Sequence, residues 1–215
     1  MKRTLTPEIL DSLPPDDPAA RHSRRDLRVF NEVLGGVRWL RRAVSARMRS
    51  GERVLEIGAG TGEFGASLAR QGVALDGLDR EPRPAVWPAA ARWHQTDALT
   101  FEGWSDYDVV IGNLIFHHFD ADALGMLGRR MAARTRLIVA CEPVRRRRFQ
   151  WLFAALCALV GANRVSRHDG RVSIEAGFLG NELPTLLGLD AEVWSWRVTT
   201  TVRGMYRMVA ERRRR

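Results

Sequence analysis

Apolar runs of strand length, several closed by an acid or a glycine, alternate in this chain with stretches whose apolar residues recur every three or four positions. That alternation predicts an α/β fold with strands covered on both faces. Val54-Leu-Glu-Ile57 reads as a buried strand entering the turn Gly58-Ala-Gly-Thr-Gly62 and then a helix. The glycines let the backbone turn tightly and come close to a ligand where a Cβ would collide. Val73–Asp79 is a second short apolar strand closed by an acid, Arg92-Trp-His-Gln95 a third, and Arg136–Glu142 a later one. Asp17 caps a helix with Pro18 in its first turn, Leu27, Phe30 and Leu34 mark its buried stripe, and Gly35-Gly36 stops it. Trp39, Leu40, Val44 and Met48 form a second stripe, so residues 18–49 are a helical preface. Pro82, Pro84 and Pro88 predict a short or irregular crossover in place of a helix, with Trp87 and Trp93 packed beside it and His94 a strand side chain.

Further on, Leu124, Leu127 and Met131 predict a helix from about Asp120 to Ala133. Asn163–Gly170 reads as a polar loop containing a second acid-base candidate, His168 and Asp169, and 172–187 as one or two short helices. Ala191–Val198 and Met205–Ala210 alternate as an antiparallel closing pair, and Arg212–Arg215 reads as a disordered tail. No repeat or linker divides the chain.

Glu56 is the exceptional residue of the first strand. A carboxylate buried without a partner costs several kcal/mol, about what burial of any unpaired charge costs, so Glu56 is expected to face a cation or a polar ligand. A pyrophosphate at the helix N-terminus has no use for that acid, which speaks against a nicotinamide cofactor. Asp79, roughly 20 residues on, stands where α/β folds place a ribose-binding carboxylate.

These residues resemble the class I S-adenosylmethionine-dependent methyltransferases. Glu56-Ile-Gly58-Ala59-Gly60-Thr61-Gly62 looks like that family's first motif, Asp79 like its ribose acid, with Arg80 beside it. Thr96-Asp97-Ala98 looks like its adenine-side acid, and Asp108-Val-Val-Ile-Gly-Asn113 like its fourth strand. The resemblance implies a Rossmann-like seven-stranded sheet of order 3-2-1-4-5-7-6, the last strand antiparallel, with helices on both faces. It divides the chain into an N-terminal helical cap, 1–49, and a single core, 50–215. It implies S-adenosyl-L-methionine as cofactor, held by Glu56, Gly58, Ala59, Gly60, Thr61, Gly62, Asp79, Arg80, Asp97, Ala98 and Asn113. Glu56 would position its methionine end and Asp97 its adenine.

The fourth strand leads into Leu114-Ile-Phe-His117-His118-Phe119, and ligands of such sheets lie beyond the carboxyl ends of the strands. A histidine there is suited to act as a general base toward a phenol or an acidic carbon. Adjacent histidines point apart, so at most one meets the reacting atom; both could equally cap the next helix. This turn resembles the Phe-His-His turn of ubiquinone and menaquinone C-methyltransferases. It is unlike the Asn-Pro-Pro-Tyr signature of enzymes methylating adenine or glutamine nitrogen. Leu13–Arg28 resembles the preface of small methyltransferases found beside bacterial type III polyketide synthases, which would make it a lid bringing Arg24, Arg25 or Asp26 to the ligand, or a packed amphipathic helix. Glu142 orients a substrate hydroxyl or a histidine, or pairs with a following arginine.

Composition adds a strong charge to this picture. The chain has 215 residues, a net charge of +9 and a single lysine, Lys2, among its many arginines. The sequence pI is near 11.0. That balance suits an anionic substrate, nucleic acid, a membrane surface or merely a solvated arginine-rich exterior. Arg145–Arg148 precede the apolar run Phe149–Val160, too short for a bilayer span of roughly 20 residues. It is expected to lie on an anionic membrane surface, line an apolar pocket, or cover the sheet. Cys141 and Cys157 lack metal-ligand spacing and are expected as buried free thiols; no metal is implied. The N-terminus has no signal-peptide core, so a cytoplasmic enzyme is expected. The activity implied is methyl transfer to oxygen or carbon of a small, fairly apolar molecule, a phenolic polyketide or quinol. An RNA methyltransferase and a non-catalytic cofactor-binding module are the alternatives.

Overall fold

The computed structural model describes residues 1–132 and 134–214. Its centre is one seven-stranded sheet of order β3-β2-β1-β4-β5-β7-β6, as expected. The strands are β1 (Val54–Ile57), β2 (Leu75–Asp79), β3 (Trp93–Gln95), β4 (Val109–Asn113), β5 (Leu137–Pro143), β6 (Trp194–Thr200) and β7 (Met205–Arg212). β1 to β5 are parallel, while β7 runs antiparallel to both of its neighbours. The largely apolar sequences of β1, β4 and β5, broken by Glu56, Asn113 and Glu142, follow from burial on both faces.

The helices are α1 (Pro18–Leu34), α2 (Gly36–Ser45), α3 (Glu63–Ala69), α4 (Ala121–Met131), α5 (Arg147–Val160), α6 (Arg164–Ala176) and α7 (Glu182–Leu186). Leu40 and Val44 of α2 and Phe64 and Leu68 of α3 pack with Val54, Leu75 and Val109 on one sheet face. Leu124 and Leu127 of α4 and Leu183 of α7 pack with Leu55, Leu78 and Val110 on the other. Asp17 caps α1 through the Ala19 and Ala20 amides, and Gly35, in the left-handed conformation, ends it. α4 is capped by Asp120 and closes at Met131; the expected end at Ala133 lies outside the described residues.

No helix connects β2 to β3. Trp87, almost fully buried, fills that gap instead, against Gly62, Gly65 and Gly77, where its indole takes the space of absent Cβ atoms. Beside it, Asp76 of β2 accepts from the Arg53 guanidinium (2.5 Å), the Tyr107 hydroxyl (2.8 Å) and the Arg92 amide (2.8 Å). His94 lies 2.8 Å from the same hydroxyl, a packing role as expected. Burial alone would raise the Asp76 pKa, but the three hydrogen bonds and the Arg53 charge outweigh it and hold the carboxyl below its usual value. The folded protein therefore binds this proton less readily than the unfolded chain does. The resulting stability is present above the unfolded pKa, about 3.9, and is lost as pH falls through the lower folded value. Asp76→Asn should cost about 1–3 kcal/mol at neutral pH and flatten the acid limb of a melting-temperature profile. An unchanged acid limb would mean that Asp76 is not what the acid titrates.

Three expectations are corrected. Residues 164–176 form α6, not a polar loop, because Asn163 caps it through the Ser166 amide and Val165, Val172 and Ile174 supply a buried face. Arg212 ends β7, and the Arg213 amide and side chain bond to Val193 and Ala191, so the basic tail begins as sheet; Arg215 lies outside the described residues. α5 lies outside α1 and α6, with Phe153 stacked edge-on against Phe30 at 4.8 Å. Its outer face leaves Trp151 and Leu159 78% and 84% exposed, so it neither covers the sheet nor lines an interior pocket. Among the described residues no helix is long and apolar enough to cross a membrane.

Candidate functional site

The carboxyl ends of β1, β2 and β4 converge on the glycine turn. Gly58, Gly60 and Gly62 all have positive φ (63°, 50° and 74°), which explains three glycines in five residues. Their surroundings differ. A Cβ on Gly58 would lie 2.6 Å from the Ile115 side chain, and one on Gly62 2.7 Å from Pro84. Gly60 alone of the three looks into open space, its nearest neighbour being 3.9 Å from where a Cβ would stand. Thr61 is half-buried and Ala59 buried within the turn.

Asp79, at the end of β2, accepts from the Gly60 amide at 2.7 Å and the Glu81 amide at 2.9 Å, tying the turn to the second strand. Arg80 next to it is exposed, and its charge acts on Asp11 of the N-terminal segment. Asp97 follows β3 and accepts from the Leu99 amide (2.8 Å), while Ala98 packs on the core. Glu56 is 2% exposed, and its Oε2 has no hydrogen-bond partner among the described residues. Burial, with Asp79 nearby, raises its pKa well above the usual carboxylate range against the pull of the Gly65 amide. Asn113, at the end of β4, donates to Asn31 of α1 (3.3 Å), and its buried Oδ1 has no partner among the described residues. Two unpartnered oxygens at adjoining strand ends, together with the open face of Gly60, fit a polar ligand crossing the turn.

α1 reaches this turn by residues other than those expected. Arg28 pairs with Glu63 at the start of α3 (3.2 Å) and Asn31 meets Asn113. Asp26 instead accepts from Ser166 (2.7 Å) and so pins α1 to α6, Arg24 folds back on the Pro15 carbonyl (2.8 Å), and Arg25 is exposed. The helical stripe gave the direction of α1, but no local pattern distinguishes which of its polar residues meets which neighbour.

After β4 the chain passes Leu114, the sole non-glycine residue with positive φ (58°) among the described residues, and enters a 3-10 turn, Phe116–His118. Strain of this kind persists where the surroundings enforce it. The enforcing group is Glu142 of β5, wholly buried, which accepts from the amides of Ile115 (3.0 Å), Phe116 (2.9 Å) and His117 (3.3 Å). Its Oε2 also lies 2.6 Å from His117 Nδ1. Since a carboxylate only accepts, that nitrogen carries the hydrogen. Glu142 thus orients a histidine and, among the described residues, pairs with no arginine. Arg145, the candidate for that pairing, is itself buried and bonds to Glu182 and the Gly177 carbonyl.

His117 and His118 stand with ring centroids 4.4 Å apart. Burial would lower the pKa of His117, but Glu142 and Glu8 together push it up to about 9. It is protonated near neutrality and unsuited to take a proton. His118, with 28% of its side chain exposed, has a lowered pKa, from burial and the neighbouring His117 charge. It is the neutral member of the pair.

Sequence reasoning missed the N-terminal segment. Glu8 Oε1 lies 3.5 Å from His117 Nε2 and 3.8 Å from His118 Nε2, and Asp11 is 3.7 Å from His118 Nδ1. Asp169 holds the segment there by accepting from the Ile9 and Leu10 amides at 2.8 and 3.0 Å. His168 touches Asp169 (2.9 Å), but that acid is committed to the strap rather than to acid-base work. Nothing in the sequence near Glu8 signals this, because the contact spans more than a hundred residues.

No family model matches the chain, and no curated protein matches it. Solved structures do. The plantazolicin methyltransferase BpumL, solved with a triazolic desmethylPZN analog and SAH, superposes with a TM-score of 0.72 at 13% identity, over 95% of this chain and 93% of that one. The pyocyanin biosynthetic protein PhzM gives 0.65 at 19%, over 96% and 62%. The methyltransferase domain of bacterial CtHen1-C gives 0.60 at 14%, over 83% and 98%. With its strand order, its antiparallel β7 and these superpositions, the chain has the class I S-adenosylmethionine-dependent methyltransferase fold.

Proposed function

We propose that this protein is an S-adenosylmethionine-dependent methyltransferase acting on oxygen or carbon of a small, fairly apolar acceptor of the phenolic polyketide or quinol type. The observation that carries the reading is the open face of Gly60 with Asp79 at its edge, in a turn joined to β1 and next to β4, the strands that carry two buried oxygens without partners among the described residues, on Glu56 and Asn113. Glu56, Gly58, Ala59, Gly60, Thr61, Gly62 and Asn113 would hold the methionine end, Asp79 and Arg80 the ribose side, and Asp97 and Ala98 the adenine. The cofactor supplies an electrophilic methyl group; the chain positions it and excludes water. BpumL was solved with SAH, the product left by this cofactor, and PhzM is a biosynthetic protein of a small molecule, which supports both halves of the reading.

The acceptor would meet the methyl group at the His117–His118 end, where Glu8 and Asp11 of the N-terminal segment face the two rings. His118 is the member of the pair proposed to act on it. An RNA substrate is the second reading, with the charge of +9 as its support. Arg146–Arg148 at the head of α5, beside exposed Trp151, Leu152 and Leu159, remain the proposed place of contact with an anionic membrane surface.

Asp79→Ala should weaken S-adenosylmethionine binding by about 1.5–3 kcal/mol, the range for hydrogen bonds to a charged group. Calorimetry reads it directly, with a urea melt to show that the turn, which loses its tie to Gly60, still folds. Unchanged affinity in a folded variant would remove Asp79 from the ribose. The reading as a whole fails if the unmodified protein binds neither S-adenosylmethionine nor its product.

A further inference from the structure

We propose that Glu8, His117 and His118 form a binding site for a divalent cation of the zinc type, with Glu142 behind it as the carboxylate that orients His117. The bond from His117 Nδ1 to Glu142 leaves Nε2 of that ring pointing at Glu8 Oε1, 3.5 Å away. This Nε2 is buried, on a side chain 4% exposed, and has no hydrogen-bond partner among the described residues; a cation binding there displaces the proton that the ring carries toward Glu8 near neutrality. His118 Nε2 stands 3.8 Å from the same carboxylate oxygen, and the three donor atoms all lie within 4.8 Å of one another.

Four-coordinate zinc with bonds of about 2.0–2.1 Å sets its donors about 3.3–3.4 Å apart, so the two separations to Glu8 close by a few tenths of an ångström and the one between the histidines, within 4.8 Å, by at most about 1.5 Å. The backing of the site fits as well. Metal-bound histidines give their second ring nitrogen to a carboxylate, and His117 does so with Glu142, while Asp11 stands 3.7 Å from His118 Nδ1. Glu8 and Glu142 supply negative charge, and Arg3 is committed to the carbonyls of Phe119 (2.7 Å), His117 (3.3 Å) and Ala176 (2.8 Å). Two imidazoles and one carboxylate favour zinc, cobalt, nickel or iron over magnesium or calcium.

Three protein donors leave a coordination position for water or for an acceptor oxygen. Only the last role rests on the methyl-transfer reading; the cation site stands on its own residues. Because Glu8 arrives on the strap held by Asp169, the site is complete only when that strap lies against the two histidines.

The test uses untagged full-length protein, stripped with a chelator and titrated with cobalt(II) and then zinc. One cobalt per chain, with the visible absorption of a low-coordinate imidazole site and displacement by zinc, is expected. Glu8→Gln and His118→Ala should each weaken binding at least tenfold, while His168→Ala leaves it unchanged. His117→Ala is avoided because it leaves Glu142 buried and uncompensated. Absence of that absorption, or equal binding by the unmodified protein, Glu8→Gln and His118→Ala, overturns the site. SAH calorimetry on the same samples separates the readings: cobalt binding without SAH binding defeats methyl transfer alone, and SAH binding without cobalt defeats the cation site alone.

Discussion

Glu142→Ala should destabilise the protein by about 3–5 kcal/mol, the cost of removing one partner from a buried ion pair. Glu142 accepts from three consecutive amides and from His117, with no exposure to water. Deleting it strands those donors and leaves a buried histidine with only Glu8 near its charge. Each orphaned donor adds to the loss, because a buried N–H without an acceptor forfeits its solvation outright. Glu142→Gln keeps the volume and one acceptor oxygen, so it should cost less, with the missing part being the pairing with His117. Urea unfolding of the three proteins measures this. A loss below about 1 kcal/mol in Glu142→Ala would mean that water replaces the carboxylate and that the turn after β4 is held by other contacts.

The same residue shows how far the sequence is legible. The strands were, since continuous apolar runs such as Leu137–Cys141 have one comfortable place in an α/β protein, the doubly covered interior. The glycine turn was legible for a similar reason: three positive φ angles in five residues demand a residue without Cβ. Even there the reasons differ residue by residue, because Gly62 makes room for Pro84 and Trp87 while Gly60 faces open space. An acid closing β5 announced that something polar waits at that strand end, and the candidates were a hydroxyl, a histidine and an arginine. Choosing among them needed the path of the chain after Leu114, whose unusual backbone turns His117 under Glu142.

What stayed hidden was long-range and polar. Asp26 to Ser166, Asp169 to the amides of Ile9 and Leu10, and Glu8 to both histidines join segments more than a hundred residues apart. A hydrophobic stripe reports its own period wherever its partner lies; a single carboxylate reports nothing about which distant donor it will meet. The reading of 163–170 as a loop failed for a related cause. Ser, His, Asp and Gly are poor helix formers, and α6 is held by its cap and by packing against α1 and α5, which propensity does not contain.

His118→Ala should lower turnover by about 10²–10⁴-fold while S-adenosylmethionine affinity barely moves. The lost group is the one proposed to act on the acceptor in the transition state, and the residues proposed to hold the cofactor, Asn113 apart, lie at the ends of β1, β2 and β3. His117→Ala should behave differently, losing stability first because its ring is the counterpart of Glu142. The contrast between neighbours is the informative result, since a uniform loss of folding in both would make the pair purely structural. Two ways for His118 to act then separate cleanly. If its imidazole takes the acceptor's proton unaided, turnover survives chelation and is unaffected by Glu8→Gln beyond any change in stability. If it acts as a ligand beside Glu8 and His117, turnover falls on chelation, returns with zinc, and drops in Glu8→Gln as well, because coordination of the acceptor oxygen then lowers its pKa in place of a base.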